Sequence, residues 1–170
     1  MRYLTRSIVI AATGMLAACG SEKSGTITTS DGETAEYRID EASGETSMTI
    51  TTPEGKAVMR SGQGVPVDLP KGFSLYPGTQ VISSTIVNQP DGIGTMVMFE
   101  AAAKGADIMA HFKRQAEAAG FEIELEATMN ETVMLSGKRA SDGSSFMVNA
   151  NAGEDGKTAG QLVIGRQGRN

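Results

Sequence analysis

Residues 105–127 read GADIMAHFKRQAEAAGFEIELEA, and the fold turns on where the period of this stretch changes. Through its first fifteen residues, Ile108, Phe112, Ala116 and Ala119 fall on one stripe, with Lys113, Arg114 and Glu117 away from it. That spacing predicts a helix over Gly105–Ala119 with one buried side. Asp107 stands in the first turn, where a negative charge suits the helix dipole. Gly120 followed by Phe121 is a stop signal, a left-handed residue with an apolar clasp behind it. From Phe121 the period becomes two. Phe121, Ile123, Leu125 and Ala127 alternate with Glu122, Glu124 and Glu126, which predicts a strand with one face on a core and three carboxylates in water.

Upstream, Gln80–Val87 and Ile93–Ala101 are β-prone runs joined through the turn Gln89-Pro90-Asp91-Gly92. Beyond the quoted stretch come Glu131–Lys138 and Ser144–Ala150, joined by Ser141-Asp142-Gly143, and then Ala159–Arg166 after the loop Asn151–Thr158. The expectation for residues 79–168 is an α+β domain of order β-β-α-β-β-β-β, an antiparallel sheet with one helix packed on a face.

Residues 26–61 carry a short internal repeat. Thr26-Ile27-Thr28-Thr29-Ser30-Asp31-Gly32 returns as Thr49-Ile50-Thr51-Thr52-Pro53-Glu54-Gly55. Each copy is a β-prone run ending in an acidic-Gly turn, so two hairpins are expected. Their apolar content is too low for a core of their own, and they are read as a small β-hairpin region ahead of the α+β domain, either packed on it or forming a loosely ordered spacer. Between them, residues 62–78 form a Pro/Gly-rich connector containing Pro66, Pro70 and Pro77. Leu69, Phe73, Leu75 and Tyr76 make it more apolar than a free linker, so it is expected to lie against the domain that follows.

The first 18 residues read as an address. Arg2 and Arg6 precede an apolar run, Ile8 to Leu16, that is too short to span a bilayer. Leu16-Ala17-Ala18-Cys19 then resembles the lipobox of bacterial lipoproteins, and Cys19 is the only cysteine in the chain. The resemblance implies cleavage before Cys19, diacylglycerol on its thiol and an acyl chain such as palmitate on the new amine. Residues 19–25 would then be a lipidated tether. Gly20 is not the Asp that signals inner-membrane retention in such proteins, so the outer membrane, facing the periplasm, is the expected location. Without residues 1–18 the chain has 13 basic and 20 acidic residues, a charge of −7. That balance speaks against nucleic-acid partners, whose phosphates call for basic patches, and against electrostatic attachment to anionic lipid.

The segment Leu69 to Gly78 also resembles one in lipoproteins of the Gram-negative envelope, over ten residues and with no activity implied. The β-β-α-β layout is similar to small lipoprotein accessories of the outer-membrane β-barrel assembly machinery, at the level of fold alone.

Catalytic patterns are not assembled in the sequence. His111 is the single histidine and reads as a solvated helix residue; neither a Gly-x-Ser-x-Gly elbow nor a Ser-x-x-Lys pair occurs. Gly153-Glu154-Asp155-Gly156-Lys157-Thr158 ends like a phosphate loop, but Asn151 stands where that motif wants Gly and two acids would repel phosphate. The five acidic-Gly pairs lack the clustered acids of a calcium loop. Glu122, Glu124 and Glu126 form a potential cation ladder, against which stands their reading as solvated outer-face charges. Met96-Val97-Met98 places two thioethers on one strand face, as copper ligands would need; adaptable core filling is the competing reading.

The expected function is therefore a non-enzymatic binding or accessory lipoprotein, without a cofactor. It would hold the membrane through lipid on Cys19 and meet an envelope protein partner, for which Phe73, Leu75 and Tyr76 are the candidate contacts. The alternatives are a small-ligand or copper-binding lipoprotein, with a pocket between helix and sheet lined by Met96 and Met98, or else an envelope enzyme with a deep cleft of convergent carboxylates or an enzyme inhibitor projecting the 69–78 segment.

Overall fold

The computed structural model describes residues 22–28, 34–52, 55–90, 92–153 and 156–167. Four strands come first: β1 (Glu22–Thr28), β2 (Thr34–Asp40), β3 (Glu45–Thr52) and β4 (Gly55–Gly62). After the connector follow β5 (Gln80–Gln89), β6 (Gly92–Ala101) and the helix α1 (Gly105–Ala118). The chain ends with β7 (Glu122–Met129), β8 (Thr132–Arg139), β9 (Ser144–Ala152) and β10 (Thr158–Gln167).

All ten strands belong to one antiparallel sheet of order β1-β2-β3-β4-β5-β6-β10-β9-β8-β7. The chain meanders through β6, crosses on α1 to the far edge at β7, and meanders back until β10 closes against β6. This corrects the expected fold of a small β-hairpin region ahead of an α+β domain with a sheet of its own. The N-terminal hairpins continue the same sheet: Val58–Gly62 of β4 pair with Asn88–Ser84 of β5. The hydroxyls of Ser61 and Thr85, opposite one another across that seam, lie 2.8 Å apart. The physical reason is that hairpins without a core of their own gain by borrowing an edge, since the ladder satisfies backbone groups whatever the side chains are.

Among the described residues the core lies on one face of the sheet. Val97, Phe99, Leu135, Val148, Leu162 and Ile164 of the sheet are almost wholly buried beneath Ile108, Phe112 and Ala116 of α1. Phe73 of the connector joins Phe121 and Phe146 in a cluster with centroids 5.4–5.7 Å apart, two of the three pairs edge to face. The helix ends as its sequence signals. Gly120 is left-handed at φ 80°, its N–H reaches Glu117 O, and the N–H of Phe121 reaches Ala116 O at 2.9 Å.

The connector lies on this same face, beside the helix. Its carbonyls explain two polar residues that the sheet buries: Thr95 donates to Asp68 O at 2.7 Å and Ser84 to Pro66 O at 3.3 Å. A hydroxyl at a core position is tolerated because it is hydrogen-bonded.

Candidate functional site

The space between helix and sheet is filled. Phe99 and Phe112 meet across it at 6.3 Å, and both are buried. The expected pocket there, with Met96 and Met98 on its wall, is corrected. Val97 and Phe99 point into the core, so Met96 and Met98, their neighbours along β6, point out of the opposite face. Met96 Sδ accepts a hydrogen bond from Gln161 Nε2 at 2.8 Å, and its cross-strand neighbours are Thr85 and Val163. Met98 is 47% exposed.

Phe73, read as a partner contact, is a core residue, and Leu75 and Tyr76 pack half-buried against that core. The 69–78 segment is therefore no projecting apolar loop. Gln115 secures it, accepting from the Ser74 N–H at 2.9 Å and donating to Ser74 Oγ at 2.8 Å. His111 is held with it and is not a freely solvated side chain. Its Nε2 lies 3.0 Å from Ser74 O and 2.9 Å from Gln115 Nε2, with Tyr76 edge-on to its ring.

The three carboxylates after the helix do not form a ladder. A register shift between Ile123 and Leu125 marks a β-bulge at Glu124. Before it, Glu122 faces outward opposite Lys138. After it the alternation is reversed, so Glu126 comes to the helix side and pairs with Lys113 at 2.6 Å. Leu125 and Ala127 are turned to the outer face, which corrects their reading as core. The loop that mimics a phosphate site is a hairpin end: Gly153 N–H bonds to Lys157 O at 2.7 Å and Thr158 donates to Ala103 O at 2.6 Å. Among the described residues no cluster of three or more His, Cys, Asp or Glu is placed to hold a metal ion. Cys19 lies outside the described residues.

The feature that sequence reasoning missed is the outer face as a whole. Among the described residues no helix or connector covers it. Of the eight methionines described, seven point from this face: Met48, Met59, Met96, Met98, Met129, Met134 and Met147. Met109, on α1, is the eighth and is buried. Rows of directly opposed residues run across the strands. One passes from Tyr37 through Met48, Met59 and Val87 to Gly94 and Gly165. Where it reaches the two glycines the sheet is bare, and an open depression of about 320 Å³ lies between Val87 and Ser145. Thioethers are flexible and polarisable, so a face built from them adapts to apolar material of varied shape. The signal was present as period-two spacing in each strand; what was absent was the register that joins strands distant in sequence.

A family model described as START domain-like matches residues 81–159, from β5 to the start of β10. The chain is similar to that family over this segment, which is less than half of its length. No curated protein and no solved structure matches the chain.

Proposed function

We propose that this protein is a lipoprotein, anchored through Cys19 in the outer membrane of a Gram-negative cell, that faces the periplasm and acts by binding. The observation that carries the anchor is Leu16-Ala17-Ala18-Cys19 behind a short apolar run with a basic flank. Two or more acyl chains give durable attachment, whereas one chain binds only marginally. A lone thiol in an oxidising compartment is also better placed under a lipid than left free.

Support for binding comes from two directions. The START domain-like similarity is to a ligand-binding fold and is compatible with a non-enzymatic role. The only histidine in the chain holds the connector and has no nucleophile aligned with it among the hydrogen bonds it makes. The surface offered for binding is the methionine-rich outer face of β5–β10, because the space beneath the helix is occupied by the protein's own phenylalanines.

The test is chemical. Cells expressing the full chain are fed an alkyne-bearing palmitate, the protein is purified from detergent extracts, and its N-terminal peptide is weighed. The expected mass is that of a chain beginning at acylated Cys19, and Cys19→Ser should lose both label and membrane retention. An unmodified sulfur, or an intact leader, overturns the reading.

A further inference from the structure

We propose that the outer face of β1–β4 is a membrane-docking surface, lying on the same bilayer that holds the lipid at Cys19. The inference rests on the anchored reading above and goes further, because it fixes which side of the protein meets the lipid.

The first observation is that these four strands are polar on the side where the rest of the sheet carries the core. Their helix-side face carries Glu36, Arg38, Asp40, Glu45, Lys56 and Arg60. Arg60 and Glu45 pair on it at 2.7 Å. The outer face carries Ile27, Tyr37, Ile39, Met48, Ile50 and Met59, and Lys23 is its single charge among the described side chains. An antiparallel sheet with one polar and one apolar face ordinarily lays the apolar face on a core. Here the core and the helix are on the other side, and Ile27 at the end of this face is 55% exposed.

The second observation is chain length. Cys19 precedes Glu22, the first residue of β1, by three residue steps, and β1 is the edge strand. Three steps reach at most about 11 Å whatever their conformation. A lipidated Cys19 therefore holds the Glu22 end of β1 near the headgroup layer. Binding of the adjoining apolar face to lipid then becomes an intramolecular event at high effective concentration.

The third is charge. The chain after residue 18 carries −7, so attraction to anionic headgroups does not drive the contact. A face with one lysine, a tyrosine, the small hydroxyls of Thr46 and Ser61 and otherwise apolar side chains suits the interface of a zwitterionic bilayer, where tyrosine places its ring in the acyl boundary and its hydroxyl in water. Helical interfacial elements sink about 5–10 Å in the same way.

The chain has no tryptophan, so a single one reports its own depth. The lipidated full-chain product is purified with Tyr37→Trp and reconstituted into phosphatidylcholine vesicles containing lipids brominated on the acyl chains. Met59→Trp serves as a second reporter on the same face, and Glu36→Trp as the comparator on the helix side. Far-ultraviolet circular dichroism checks each fold, and mass spectrometry checks acylation of Cys19. The expected result is blue-shifted emission and loss of most of it to bromine at positions 37 and 59, unchanged in 1 M salt, with position 36 unaffected. Acylated protein whose reporters at positions 37 and 59 stay unquenched overturns the docking surface and leaves the anchor standing. The same result with emission shielded from aqueous iodide and a doubled particle mass assigns the face to a second copy, which also overturns it. Protein with no lipid at Cys19 removes the anchor and the docking surface together.

Discussion

Gly160 of β10 lies directly opposite Phe99 of β6, with the phenyl ring over it. A β carbon at position 160 would stand 2.6 Å from Phe99 Cε2. The same pairing recurs twice. Gly137 faces Phe146, and Gly25 faces Tyr37, with 2.7 Å from the would-be β carbon to the ring in each case. A cross-strand aromatic covers the bare backbone of a strand glycine, so the glycine becomes a seat for the ring. Gly94 has the same freedom in sequence but nothing within 4 Å of its would-be β carbon.

Gly160→Ala is therefore expected to cost about 1–3 kcal/mol, because the buried Phe99 must leave its place. Gly94→Ala, on the open outer face, should change stability by about 0.5 kcal/mol or less. Urea denaturation of both variants checks the contrast. Equal costs would show that backbone conformation, not the ring, sets the requirement at position 160.

The bulge at Glu124 makes a second prediction, and it shows where the sequence stops being informative. Strict alternation puts Leu125 beside Ile123 in the core; the structure exposes 42% of it on the outer face. Leu125→Lys should shift the melting temperature by a few degrees at most. Leu135→Ala, at a fully buried position opposite Glu126 on the facing strand, should cost about 2–5 kcal/mol. If Leu125→Lys is as damaging as Leu135→Ala, the bulge is misplaced and Leu125 belongs to the core.

What could be read from the sequence was local. The helix at residues 105–119, its glycine stop and the strand runs around it follow from short-range spacing, and the structure places them within a residue or two. Two kinds of information were not local. A bulge is one residue in a run of Glu and Leu, and Lys113, the partner it brings within reach of Glu126, stands on a different element. The seam between β4 and β5 joins Arg60 to Ile86 across the connector, and nothing in either strand names the other. The outer face was illegible for that same reason. Met96 and Met98 were visible as a pair, but Met48, Met59, Met134 and Met147 join them only through the register of the whole sheet.

Arg139 supplies a pH-dependent prediction. Its guanidinium binds both oxygens of Asp142, at 3.0 and 2.8 Å, donates to Ala119 O at the end of α1, and lies 4.7 Å from the Phe121 ring centroid. It thus ties the β8–β9 turn to the helix C-terminus. Hydrogen bonding from Arg139 comes first among the causes that hold the Asp142 carboxyl far below the ordinary aspartate value of 3.8, with Ser144 adding to it. A depressed carboxyl contributes stability that is fully present above 3.8 and is lost as pH falls toward its own lower value. The melting-temperature gap between the native protein and Asp142→Asn should therefore hold steady from about pH 7 to about pH 5 and shrink below about pH 4. A gap that is constant down to about pH 2 would mean the pair is not formed. Arg139→Ala should lower the melting temperature by about 5 °C at neutral pH, since it removes the ring contact and the helix-end hydrogen bond together.

The connector keeps its place on the sheet through few polar contacts. Gln115 is the hub, because its carboxamide accepts from the Ser74 N–H and donates to Ser74 Oγ while the same nitrogen approaches His111 Nε2. Phe73, next to it, anchors in the core, and the turn ahead of it is closed by Phe73 N–H to Pro70 O at 3.0 Å. Removing the carboxamide leaves the apolar anchor but frees the backbone that follows it. Gln115→Ala should therefore accelerate amide hydrogen exchange at Ser74 by about tenfold or more, the equivalent of about 1.4 kcal/mol of lost local protection. The amides of Leu162 and Val148, in the sheet beneath, should be slowed or hastened by far less. Faster exchange spread evenly over connector and sheet would mean that Gln115 supports the whole domain and not the strap.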